Sequence, residues 1–227
     1  TLSGCGAGFL FLVVHETLAS YAADLPEPSA RLVRVGGSLA AALIAAFTFT
    51  NWQNSNETEV YAAATFTISA ITWLCLVWRA SRGTVRASQV LLLILYLAGL
   101  SIGNHLLALL VGPAVVGFLA AVLLHDPAGT PRERSMEWAQ VAVVAGSWAL
   151  LIGCGLGSTV LVGLGGACFL TAAAFAATAS TLPFALVALA VSAIGVTSYL
   201  YLYIRAGQHP IINEAQRGVS RLIAVTI

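Results

Sequence analysis

The sequence predicts an all-α protein, a polytopic transmembrane bundle of about eight helices. Two observations predict this fold class. Hydrophobic residues make up 59% of the chain and charged residues only 8%, whereas a soluble domain carries roughly 25% charged residues. Apolar runs near the length of about 20 residues that a helix needs to cross the hydrocarbon core follow one another along the chain. We expect a transmembrane helical domain over residues 1–205 and an external C-terminal segment over residues 206–227.

Charged residues, prolines and glycines divide the chain into eight apolar runs, which are the predicted spans. In order, these runs cover residues 2–23, 35–52, 58–78, 88–102, 105–124, 138–155, 158–179 and 182–204. The fourth run is short, and Gly155 and Gly157 blur the boundary between the sixth and seventh. The count therefore ranges from seven to nine, with eight preferred.

The arginines predict the orientation of these spans, since all ten basic residues are Arg. Seven of them follow the first, third and fifth runs: Arg31, Arg34, Arg79, Arg82, Arg86, Arg132 and Arg134. The other three, Arg205, Arg217 and Arg221, follow the eighth run. Loops rich in Arg and Lys face the cytoplasm. If the spans alternate, the seven arginines are cytoplasmic and both chain ends are external.

Charge and cysteine spacing exclude several classes of site. The formal net charge of +1 gives no basic surface for a nucleic acid partner. The four cysteines lie inside apolar runs, with neither a paired spacing nor a nearby histidine. That pattern predicts buried small side chains and no metal site or disulfide framework.

Three polar clusters end apolar runs, and all three fall on the predicted external side. They cover residues 52–61, 103–105 and 203–210. Polar and charged residues are costly near lipid, so their concentration at one face is typical of an enzyme site or a binding site.

The candidate site residues in these clusters are Glu59, Tyr61, Asn104, His105 and Arg205. Each of the three ionisable side chains also has a structural interpretation. Glu59 is placed in the first helical turn, where the helix dipole favours a carboxylate. His105 is a polar residue at a helix junction, and Arg205 is suited both to bidentate phosphate recognition and to snorkelling towards lipid headgroups.

The clusters carry three motifs in a fixed order. They read Trp-Gln-x-x-x-Glu-x-Glu-Val-Tyr from Trp52, Gly-Leu-Ser-Ile-Gly-Asn-His-Leu from Gly99, and Tyr-Leu-Tyr-Ile-Arg-Ala-x-x-x-Pro-x-Ile-Asn from Tyr201. Over roughly residues 30–216, the chain resembles a bacterial family of polytopic membrane proteins. That family is related to the protein O-mannosyltransferases of the GT-C glycosyltransferase superfamily.

The resemblance implies a GT-C-like fold in a bacterial inner membrane. It also implies a polyprenyl-phosphate-linked sugar as donor substrate and an acceptor on the external side. The sequence identifies no certain cofactor. Glu59, His105 and Arg205 would then line the donor pocket, with their side chains within about one helix diameter, on the order of 10–12 Å. The family carries its catalytic acid in an outward loop before the first run. That loop has no counterpart here, so the catalytic residue stays unassigned.

Two other functions fit the sequence. A non-catalytic subunit of a larger respiratory or photosynthetic membrane complex would use the glycine-rich stretches at residues 153–157 and 163–166 for close helix packing. A secondary transporter is less well supported, because transporters are commonly built from repeated halves and none is visible here. The expected partners are therefore the lipid bilayer, a lipid-linked sugar, and other membrane subunits in the second interpretation.

Overall fold

A computed structural model describes residues 2–56, 61–103, 106–127, 129–176 and 182–197. Within these ranges all regular structure is helical, which confirms the predicted all-α class. In chain order the helices are α1 (Leu2–Tyr21), α2 (Glu27–Arg31), a π-helical turn (Leu32–Gly36), α3 (Gly37–Phe47), α4 (Phe49–Asn56), α5 (Tyr61–Ala80), α6 (Val85–Ile102), a 3₁₀ helix (Leu106–Val111), α7 (Gly112–His125), α8 (Pro131–Gly155), α9 (Thr159–Ala176) and α10 (Leu182–Val196).

Apolar helices occupy each of the eight predicted runs. Five helical segments in the described ranges are long and apolar enough to cross a membrane: Leu2–Tyr21, Glu27–Phe47, Tyr61–Ala80, Val85–Ile102 and Pro131–Gly155. Three further apolar helices are shorter, namely Leu109–His125, Thr159–Phe175 and Leu182–Val196. The chain is thus a multi-pass membrane protein with a polytopic helical fold.

The second predicted run, 35–52, differs from the helix that forms. The helix begins at Glu27, because Pro26 is extended (φ −54°, ψ 141°) and Pro28 sits in the first turn, where a missing N–H costs nothing. It ends at Phe47, because Thr48 leaves the helical region (ψ 134°) before α4 begins. A run expected to be one span is therefore a longer span followed by a separate short helix.

The sixth predicted run, 138–155, also begins too late. α8 starts at Pro131, two turns earlier, because Thr130 and Glu133 form a reciprocal capping box. The Thr130 hydroxyl accepts from the Glu133 amide at 3.2 Å, and the Glu133 carboxylate accepts from the Thr130 amide at 3.0 Å. This pair satisfies two amide groups that a helix start leaves unbonded, so the helix extends well beyond its apolar part.

The chain forms two compact units, and the first of the three places where it passes from one unit to the other falls inside α6. The first comprises Thr1–Ile94 and Leu110–Ala128. In it, the Phe9 ring of α1 lies 5.7 Å from the Phe66 ring and 5.5 Å from the Trp73 ring of α5. Gly6 brings the two backbones together, since a Cβ there would lie 3.4 Å from the Phe66 Cα. Aromatic packing and this close approach join α1 to α5.

The second unit comprises Leu95–Leu109 and Gly129–Ile227. Its largest contact is the hairpin of α8 and α9, which turns at Gly157 with a φ of +63°. Such a left-handed conformation suits glycine and closes a helix end. Gly146 and Gly165 face each other along the hairpin, because a Cβ on either would lie 3.0 Å from the other's carbonyl oxygen.

Candidate functional site

Tyr61 is the one predicted site residue within the described ranges. It is the first residue of α5 and its side chain is 40% exposed. Glu59, Asn104, His105 and Arg205 lie outside the described residues. The convergence of Glu59, His105 and Arg205 therefore stays a prediction. The structure describes the helices on either side of the first two motifs.

In the first unit, α4 and α5 flank the acidic part of the first motif. The α3–α4 break is fixed by side-chain bonds: the Asn51 amide donates to the Ala45 carbonyl at 2.7 Å, and the Thr48 hydroxyl donates to the Ile44 carbonyl at 2.6 Å. The Ala45 carbonyl, in the last turn of α3, receives its donor from a side chain, whereas the Ile44 carbonyl also accepts from the Thr48 amide at 2.9 Å. The first turn of α4 is thus tied to the last turn of α3.

The start of α5 is equally well supported. Ala64 and Thr67 are buried, and the Thr67 hydroxyl donates to the Ala63 carbonyl at 2.9 Å within the helix. The next turn is held against α1 by the Phe66 contacts described above. Tyr61 therefore projects from the end of a helix whose first two turns are already packed.

In the second unit, the end of α6 leads into the Gly103-Asn104-His105 motif. Gly99 of α6 packs directly on α10, since a Cβ there would lie 2.6 Å from the Ser192 carbonyl oxygen. A Cβ on Gly195 would lie 2.6 Å from the Leu100 amide nitrogen. Because both contacts join backbone to backbone, no side chain larger than hydrogen fits at either position. Gly99 belongs to the second motif, and here its role is to hold that motif's helix against α10.

The 3₁₀ helix that follows the motif is held by a side chain of α8. The Trp148 indole N–H donates to the Leu109 carbonyl at 2.9 Å, and both residues are buried. Four residues after Leu109 stands Pro113, which has no N–H to give an α-helical bond to that carbonyl. Trp148 supplies a donor in its place, so this hydrogen bond anchors the 3₁₀ helix to α8.

Two ion pairs are found in the first unit. Arg34 pairs with Glu27 at 3.0 Å. Arg82, in the α5–α6 loop, pairs with Asp126 after α7 at 3.0 Å, and its guanidinium lies 5.9 Å from the centre of the Trp78 ring. The Arg82 pair is at the opposite end of α5 from Tyr61. Among the described residues, no group of three His, Cys, Asp or Glu is arranged to hold a metal ion.

Comparison with known proteins gives the family. Residues 1–125 match the family described as Protein O-mannosyl-transferase TMEM260 N-terminal domain, which is more than half of the 227 residues. The chain belongs to this family. Comparisons with curated proteins and with solved structures found no match. As a TMEM260 N-terminal domain protein, it is an O-mannosyltransferase-like membrane protein, in agreement with the predicted relation to protein O-mannosyltransferases.

The TMEM260 N-terminal domain match contains two of the three motifs. Both the Trp52–Tyr61 motif and the Gly99–His105 motif fall within residues 1–125, whereas the motif around Arg205 lies beyond them. The family match thus covers the helices from α1 to α7 and the first two motifs, and it does not cover α8 to α10.

Proposed function

We propose that this protein transfers a sugar from a polyprenyl-phosphate donor to an acceptor hydroxyl on the external side of the membrane, in a GT-C-type reaction. The observation that carries the proposal is the family match over residues 1–125, which contains the first two motifs in their order. Four residues of the proposed donor site lie within the residues that the family match covers, namely Glu59, Tyr61, Asn104 and His105. Arg205 lies beyond that match.

The chemistry explains the residue types. The acceptor oxygen attacks the anomeric carbon of the sugar and gives up its proton to a carboxylate. The bond between that carbon and the phosphate oxygen breaks, and the lipid phosphate departs with the bonding electrons. Positive or hydrogen-bonding groups must stabilise the charge that develops on the phosphate. His105 and Arg205 are suited to that task, and Glu59 is suited to the donor pocket.

The structure supplies support for the elements that carry these residues. Trp148 and the Gly99–Gly195 contact fix the helices on both sides of residues 104–105 within the second unit. Asn51 and the Phe66 contacts do the same for residues 57–60 within the first unit. Catalytic groups act well only when held within a narrow range of geometry, and such anchoring is what a donor site requires.

The glycine contacts bear on the alternative of an accessory subunit, because some of these glycines pack inside the chain and others do not. Gly146, Gly153 and Gly165 pack within the α8–α9 hairpin, where an added Cβ would lie 2.8–3.0 Å from the nearest atoms of the facing helix. These glycines are therefore already used for packing inside the chain. Gly157, Gly163 and Gly166 meet nothing within 4 Å, so these glycines of the two stretches are open to a neighbour.

Arg205 gives the sharpest test. In membranes holding the full-length protein, Arg205→Ala should lower sugar transfer from a polyprenyl-phosphate donor roughly 100- to 1,000-fold, which is the usual loss for one charged donor at a developing anion. Arg205→Lys should restore little, because a point charge replaces a planar fork. The matched control is Arg217→Ala, an arginine of the same C-terminal region outside the motifs.

The outcomes separate the two functions. Transfer that falls for Arg205→Ala and not for Arg217→Ala supports the transferase. An equal fall for both variants assigns Arg205 no special role. No transfer by the wild type, together with co-purification of a stable multi-protein complex, would contradict the proposed reaction and favour a subunit.

A further inference from the structure

α4 and the end of α3 present three aromatic side chains to the outside of the first unit. The exposed fractions are 67% for Phe47, 77% for Phe49 and 53% for Trp52. The Phe47 and Trp52 rings are stacked, with centroids 5.9 Å apart and an interplanar angle of 24°. A cluster of exposed apolar side chains indicates an interaction site. The charge of the neighbouring sequence and the position of the cluster beside a predicted span indicate which partner the cluster binds.

The exposed aromatic group continues the lipid-facing surface of a predicted span. Leu39, Leu43 and Ile44 on α3 are exposed, and Phe47 follows them at the helix end. Thr48 then breaks the helix with a ψ of 134°, so α4 leaves along a new direction. The aromatic group thus begins where the membrane-spanning helix Glu27–Phe47 stops.

The sequence of α4 divides into an aromatic side and a polar side. Phe49 and Trp52 are three residues apart and share one face of the helix, while Thr50 and Asn51 fall on the other side by the helical period of 3.6 residues. No charged residue occurs between positions 35 and 56. A short helix with this division, uncharged and next to a span, has the properties of a segment lying in the bilayer interface.

We propose that Phe47, Phe49 and Trp52 form an interfacial anchor that seats α4 in the boundary between lipid headgroups and acyl chains. Tryptophan is enriched at this depth because its ring is apolar and its N–H is polar. Since α4 carries no basic residue, anionic lipid is not required and the partner is the neutral lipid interface. The proposal does not depend on the sugar-transfer reaction.

Spin-label accessibility tests the anchor directly. A variant with all four native cysteines replaced by alanine receives a single nitroxide-labelled cysteine by Phe49→Cys or, as matched control, Thr50→Cys, and is placed in phosphatidylcholine vesicles. Oxygen concentrates in lipid and a nickel chelate stays in water. The oxygen-to-nickel accessibility ratio should be several-fold higher at position 49 than at position 50. It should not change when anionic lipid is added.

Two results would overturn the anchor. An equally low ratio at positions 49 and 50 would place the aromatic side in water, and an equally high ratio at both would show that α4 is immersed in lipid and does not lie at its boundary. A label at position 49 that is immobilised and shielded from both reagents would show that a protein surface, such as a second copy of the chain, covers it.

A second measurement covers the case in which the cysteine-free variant does not fold. Trp52→Phe keeps an aromatic ring, and the difference between wild-type and variant fluorescence isolates the emission of Trp52. This difference should be quenched more by lipid brominated near the glycerol end of its chains than by lipid brominated near the methyl end. Absence of quenching by either lipid would contradict the proposal.

Discussion

A single indole N–H anchors the 3₁₀ helix that follows the second motif. Replacing Trp148 with Phe keeps most of the buried ring and removes the donor to the Leu109 carbonyl. Hydrogen bonds between membrane helices contribute about 0.6–1.7 kcal/mol, so Trp148→Phe should lower the free energy of unfolding in a detergent titration by that amount. Trp138→Phe, on the same helix but half-buried, is the control and should change it by less than about 0.5 kcal/mol.

Equal effects of the two substitutions would show that ring volume, and not the donor, determines the contribution of Trp148. The sequence alone does not reveal this residue. A tryptophan inside an apolar run requires a partner for its N–H, and Pro113 deprives a carbonyl four residues earlier of its helical donor. The two facts are visible separately, but residues 109 and 148 are too far apart in the sequence for their contact to be inferred.

At the scale of the helices, Gly99 and Gly163 both lie in apolar runs and are both followed by Leu, but only Gly99 packs against another helix. Gly99→Ala places a Cβ 2.6 Å from the Ser192 carbonyl oxygen, which forces α6 and α10 apart. We expect a loss of about 1–3 kcal/mol in the free energy of unfolding, as for other overpacked sites. Gly163→Ala is the control: its Cβ meets nothing within 4 Å, and the better helix propensity of alanine should leave stability equal or raise it by up to about 1 kcal/mol.

Thermal unfolding of both glycine variants in detergent checks this prediction. A loss at both positions would mean that glycine flexibility, and not helix contact, governs stability. The result also bears on the second motif, because Gly99 is one of its residues. If Gly99→Ala lowers stability as expected, a loss of function in that variant is a structural effect.

Helix positions were largely predictable, and helix ends were not. Hydrophobic runs located every apolar helix, because lipid-facing and buried faces both require apolar side chains. The start of α8 at Pro131 depends on the hydrogen bonds between Thr130 and Glu133, which lie in polar sequence outside the run. The break at Thr48 depends on a backbone conformation within apolar sequence. The Thr-x-x-Glu pattern from Thr130 is a signature of a helix start that a search for apolar runs overlooks, whereas the break at Thr48 leaves no signal in the composition.

For the whole molecule, the relation to protein O-mannosyltransferases and the membrane fold were predictable from motif order and composition. The arrangement of the candidate site was not, because its members come from residues 59, 104–105 and 205, and their approach depends on how separate helices pack. Tyr61 is an example. Its position near the start of an apolar helix can be predicted from the sequence, whereas its contacts with other helices cannot.

One ion pair in the first unit bears on the predicted topology of the chain. The ion pair between Arg82 and Asp126 brings the α5–α6 loop next to the end of α7. These two places therefore lie close together, which the predicted alternation of the spans requires. That this end of the unit is cytoplasmic stays a prediction of the positive-inside rule.

Labelling of single cysteines from outside intact cells tests the assignment. In a cysteine-free background, Ser55→Cys should react with a membrane-impermeant reagent, and Thr84→Cys, which is exposed in the α5–α6 loop, should react only after permeabilisation. One helix, α5, separates the two positions, and its 20 residues are enough to cross the bilayer. Reaction at residue 84 alone from outside would reverse the orientation and place the candidate site in the cytoplasm. Reaction at both positions from outside would mean that α5 does not cross, which would invalidate the alternation on which the external placement of Glu59, His105 and Arg205 depends.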